Sequence, residues 1–78
     1  LYIELEMGKN DLRDKLGRRI VQLRDSLGLR QVDLANRADI DDGFLRRIET
    51  GKVNPTIKTL EKIANGLEVE MKDLFDFR

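Results

Sequence analysis

The sequence has no cysteine and no histidine. Their absence removes disulfides, thiolate metal sites, cysteine nucleophiles and imidazole general bases together. A structural zinc site loses its usual ligands as well, so neither a metal nor a cofactor is expected. No apolar run approaches the ~20 residues a membrane span needs. The first residues lack the basic start and apolar stretch of a secretory signal. A chain without cysteine fits a cytoplasmic location. There is a single proline, Pro55, and it falls between helical patterns, where it does least harm. An excess of either charge is also missing: 15 basic residues meet 15 acidic ones. That balance argues mildly against a nucleic-acid partner, because phosphate neutralisation draws on a basic surface.

What is present suits one small domain. The 78 residues allow one modest core and leave little material for a deep substrate cleft. The chain begins at Leu1 rather than Met, so its natural start is expected to lie outside it. Charge is unevenly spread. Between residues 9 and 24, Lys9, Arg13, Lys15, Arg18, Arg19 and Arg24 face only Asp11 and Asp14. Residues 53 to 78 carry four bases against five acids, so a positive face must come from the first helix and selected turns.

Residues 1 to 7 alternate, with Leu1, Ile3, Leu5 and Met7 on one side and Tyr2, Glu4 and Glu6 on the other. That is a strand period, but a lone strand is marginal. Residues 1–9 therefore read as an N-terminal extension, frayed or paired with a second subunit, and residues 10–78 as the folded domain. A first helix is expected after Asn10, a good cap. Its apolar face runs Leu12, Leu16, Ile20, Leu23 and Leu27, the spacing of one helical stripe. Gly28 ends it. Gly17 inside it costs about 1 kcal/mol against alanine, which suggests a close helix contact there.

A short second helix, about Gln31 to Arg37, turns Leu34, Ala35 and Ala38 inward. Asp39 stands at the turn, where aspartate tolerates positive φ. Asp41 caps a third helix that carries Phe44, Leu45 and Ile48 inward and closes at Gly51. After Lys52-Val53-Asn54-Pro55, Thr56 caps a fourth helix with Leu60, Ile63, Ala64 and Leu67 on its core face. A last short helix around Met71 to Phe75 buries Leu74 and Phe75. An enzyme is poorly supported: no acid pair converges and no glycine loop cradles a phosphate. Gly51 and Gly66 read as helix punctuation.

The informative stretch is Leu29-Arg30-Gln31-Val32-Asp33-Leu34-Ala35, then Ala38-Asp39-Ile40, then Ile48-Glu49-Thr50-Gly51. Two short helices meet across a tight turn, with Ala35 and Ala38 small enough for a close crossing. That is the helix-turn-helix pattern. The chain resembles the phage Cro and repressor (XRE-type) family, including the controller proteins of restriction–modification systems. Leu29, Gln31, Leu34, Ala35, Ile48, Glu49, Gly51, Pro55, Thr56, Thr59, Leu60, Lys62, Ile63, Ala64, Leu67, Val69, Leu74 and Phe75 carry the resemblance, which spans about residues 12 to 75. It departs at Arg30, where a capping serine is usual, at Asp39, where a turn glycine is usual, and at the acidic start Asp41-Asp42-Gly43.

The resemblance implies a compact all-α, five-helix, lambda-repressor-like domain that binds double-stranded DNA as a homodimer on a palindromic operator. Helix 3, about residues 42–49, would enter the major groove. It also implies roles. Asp42, Gly43, Arg46 and Arg47 match base-facing positions, since arginine to guanine is the commonest specific contact. Asp42 serves equally as a partner for the positive helix end. Gln31, Lys52 and Asn54 match phosphate-contacting positions. Arg18 and Arg19 are further phosphate candidates on charge alone. Arg24 and Glu49 match a pair that joins helix 1 to the end of helix 3. Leu74 and Phe75 fall at the dimer interface, in the core, or in both. The rival function is a protein-interaction or antitoxin-like module in which DNA binding is weak or secondary.

Overall fold

The computed structural model describes residues 11–78. Four α-helices run in order: α1 (Leu12–Ser26), α2 (Gln31–Ala38), α3 (Asp42–Glu49) and α4 (Ile57–Leu67). A 3-10 helix, Met71–Phe75, closes the fold. The expected all-α class holds, but the fifth helix is a short 3-10 segment, a form the chain uses in brief pieces. The strand-like reading of residues 1–9, and Asn10 as a cap, lie outside the described residues. α1 is capped instead by Asp11, whose carboxylate accepts from the Arg13 and Asp14 backbone N–H groups at 3.1 and 3.3 Å.

One core forms where the apolar stripes converge. Leu16 and Ile20 of α1 meet Leu34, Leu45, Ile48, Ile63, Leu67 and Leu74. Leu12 and Leu27, the two ends of the α1 stripe, stay exposed. α2 packs chiefly on α4, whereas α1 packs on α3 and on the 3-10 helix. Gly17 shows how closely α1 and α3 approach. A Cβ at Gly17 would lie 2.7 Å from the Ile48 carbonyl oxygen and would also strike that of Glu49. Gly66 is likewise no punctuation. It sits inside α4, where a Cβ would press Leu34 Cδ1 at 3.1 Å.

All four α-helices end alike, in a pair of backbone hydrogen bonds around one left-handed residue. After α1, Gly28 and Leu29 donate to Asp25 and Arg24, and after α3, Gly51 and Lys52 donate to Ile48 and Arg47. After α2 and α4 the left-handed residue is not glycine but Asp39 (φ 57°) or Glu68 (φ 60°). The α2 ending turns the chain directly into Asp41, the cap of α3, so the tight joint between the two short helices is made by Asp39 and Ile40.

Candidate nucleic-acid interface

α3 buries one side and exposes the other. Leu45, Ile48 and Glu49 face inward. Asp42, Arg46 and Arg47 face outward, and Gly43 is half-buried at the first turn. Asp41 caps the helix by accepting from the Phe44 backbone N–H at 3.1 Å. Asp42 stands at the positive helix end with no ion-pair partner among the described residues. Among the described residues, neither Arg46 nor Arg47 has an ion-pair partner. The outward face thus presents two unpaired guanidinium groups, donors that suit the acceptor edges of guanine.

The inward end of α3 is held by a buried carboxylate. Glu49 is 7 % exposed. Arg24 of α1 grips it with two parallel hydrogen bonds, Nε to Oε2 at 2.8 Å and Nη2 to Oε1 at 3.1 Å. The Arg24 Nη1 donates to the Leu29 carbonyl at 2.9 Å, just ahead of α2. Gln31, the first residue of α2, donates its side-chain Nε2 to Glu49 Oε1 at 2.7 Å. No buried side-chain polar atom among the described residues lacks a partner. One fork-shaped cation and one amide therefore fix the ends of three helices on one carboxylate.

The remaining residues expected at DNA divide into two groups. Lys52 and Asn54, in the loop after α3, and Arg18 on α1 are exposed. Arg19 is not free: its Nε donates to the Asp73 carbonyl at 2.8 Å, so it braces the 3-10 helix. It lies two positions after Gly17, which puts it about 200° around α1 from the α3 contact. Of the two residues expected to be buried by the last helix, Leu74 is and Phe75 is not. Leu74 has no exposed surface, being filled in among the chain's own core, so it offers a partner nothing. Phe75 is 38 % exposed, and Phe77 beside it 40 %. Their rings meet edge to face at 6.2 Å.

Two contacts of the site go beyond the sequence expectations. The first is the Gln31–Glu49 hydrogen bond, which depends on how α2 crosses α3. The second is the replacement for the missing serine cap. Asp33 accepts from the Arg30 backbone N–H at 2.8 Å and from its guanidinium at 3.1 and 3.0 Å. This does part of the capping from the third position. Arg30 in turn holds the Asp33 carboxyl below its ordinary range, chiefly through that side-chain hydrogen bond. The spacing Arg-x-x-Asp is the signal that carries it. Among the described residues no cluster of acids could hold a metal ion, and no helix is long and apolar enough to cross a membrane.

Comparison with known proteins agrees with this geometry. A helix-turn-helix family profile matches residues 20–74. The control protein C.MunI of a Mycoplasma species is 34 % identical over 67 residues, covering 85 % of this chain and 90 % of that protein. The restriction-modification controller protein C.AhdI from Aeromonas hydrophila superposes with a TM-score of 0.78 at 32 % identity, over 80 % of this chain and 94 % of that one. The HTH-type transcriptional regulator DdrOP3 of Deinococcus deserti is 36 % identical over 62 residues, 80 % of this chain. The chain spans about half the length of that relative, 48 %.

Proposed function

The chain belongs to the helix-turn-helix, XRE-type family of DNA-binding transcription regulators, and from that premise we propose that it reads a specific operator. α3 lies in the major groove, with Arg46 and Arg47 on base edges, Asp42 beside them and Gly43 letting the helix backbone come close. Gln31, Lys52 and Asn54 contact phosphates, and Arg18, exposed on α1, is a further phosphate contact on charge alone. The observation that carries this reading is the pair of exposed, unpaired arginines on a helix whose other side is locked into the core. Such an arrangement gives rigid presentation and free donors at once.

The protein acts as a homodimer on a palindrome with half-sites about one helical turn apart. Support comes from the exposed apolar residues Phe75 and Phe77, of which Phe75 lines a shallow cleft with Leu12 and Pro55. A single eight-residue reading helix makes few contacts, so dimerisation supplies the second half-site. A regulator of this kind works in the cytoplasm.

Salt dependence tests the reading. Binding to duplex DNA weakens linearly in log affinity as log salt rises, because each neutralised phosphate releases counterions. No detectable binding at low salt would sink it. That outcome would favour a protein-interaction module, the reading supported by the exposed acids Asp41 and Asp42 at the head of α3.

A further inference from the structure

We infer that Gln31 is a positioning residue for base discrimination, because through Glu49 it ties the phosphate-contacting start of α2 to the end of the helix that reads the bases. The inference rests on the DNA-reading function proposed above. Its basis is the division of labour on one carboxylate. Glu49 Oε2 is taken by Arg24 Nε at 2.8 Å, while Oε1 receives both Arg24 Nη2 at 3.1 Å and Gln31 Nε2 at 2.7 Å. The Gln31 bond is the shortest of the three.

An amide nitrogen carries two hydrogens. One of the Gln31 pair is given to Glu49, and the second is free for a phosphate oxygen. The same nitrogen thus serves the DNA backbone and the buried carboxylate together, with no change of partner on binding. Glu49 ends α3, three residues beyond Arg46 and two beyond Arg47. Over an eight-residue helix with a packed inner face, a shift at Glu49 moves both guanidinium groups as a body. A phosphate placed at Gln31 therefore sets the angle at which Arg46 and Arg47 meet the bases. Arg24 alone can keep the fold, since its two bonds to Glu49 and its bond to the Leu29 carbonyl do not pass through Gln31.

A purely local phosphate contact would behave differently: its loss would weaken binding to every sequence by one factor. The test compares Gln31→Met, which keeps length and helix preference but no donor, with Gln31→Lys, whose ammonium has donors for both Glu49 and a phosphate. Affinities are measured for the selected operator and for operators with one substituted base pair opposite α3. Thermal unfolding of each variant confirms that the fold is kept. For Gln31→Met the operator-to-substituted ratio falls about fivefold, beyond the general loss of affinity. Gln31→Lys restores the ratio. An unchanged ratio in Gln31→Met, or a Gln31→Lys ratio as low as that of Gln31→Met, overturns the inference while leaving the proposed function in place. A wild-type chain with no preference for any sequence overturns both.

Discussion

The two sides of α3 follow opposite rules. On the inner side Leu45 and Ile48 are wholly buried, and both carboxylate oxygens of Glu49 are bonded. On the outer side Arg46 and Arg47 point into solvent with no ion-pair partner among the described residues. The inner side carries the energy of folding and fixes the helix axis. The outer side contributes little to stability and is left free for a partner. The contrast teaches where damage should appear: inner substitutions should unfold the domain, and outer ones should leave it folded but unable to read.

The sharpest break comes from removing half of the buried pair. Glu49→Ala strands the Arg24 guanidinium, whose side chain is 13 % exposed, and should cost about 3 kcal/mol in urea unfolding. Replacing both partners, Arg24→Met with Glu49→Leu, should recover much of that loss, since no charge then remains buried. Gly17→Ala comes next. Its methyl would press the Ile48 and Glu49 carbonyls, so it should destabilise by about 2 kcal/mol by the same measurement, although alanine favours a helix.

On the outer side, Arg46→Ala and Arg47→Ala should each weaken operator binding by about 1–3 kcal/mol in a titration and relax discrimination at one base pair. Their unfolding curves should match wild type within about 0.5 kcal/mol. A loss of stability there instead would erase the distinction between the two sides.

Two smaller effects sharpen it further. Glu68→Gly should stabilise the fold by about 1 kcal/mol, because a left-handed residue with a side chain is replaced by one without that penalty. Asp33 gives the smallest effect. Its folded pKa is lowered from the ordinary 3.8, chiefly by the side-chain hydrogen bond from Arg30. Its contribution is thus complete above the ordinary value and fades as pH falls through the lowered one. Acid titration of unfolding should lose that contribution in Asp33→Asn.

Much of this was legible in the sequence. Periodicity marks α2, and capping residues also mark α3 and α4, since Asp41 and Thr56 sit directly ahead of apolar stripes. Gly28 and Gly51 mark helix ends because the left-handed turn suits them. The same rule misleads at Gly66, where glycine serves a helix crossing and Glu68 makes the turn. No local pattern separates those two uses of glycine, because crossing distance is a tertiary property. Leu74 and Phe75 adjoin in the sequence yet differ completely in exposure, because the closing helix shows the core one side only. Arg19 and Gln31 were legible as polar but not as partnered. Their acceptors, the Asp73 carbonyl and Glu49, come from distant parts of the chain.

Selection of bound duplexes from a random library is the most direct test that the outer side of α3 reads DNA. Wild type should enrich an inverted repeat with half-site centres about 10 base pairs apart, and the Arg46→Ala, Arg47→Ala double variant should lose that enrichment while remaining folded. A library left unenriched by wild type, or the same repeat enriched by the double variant, would contradict it.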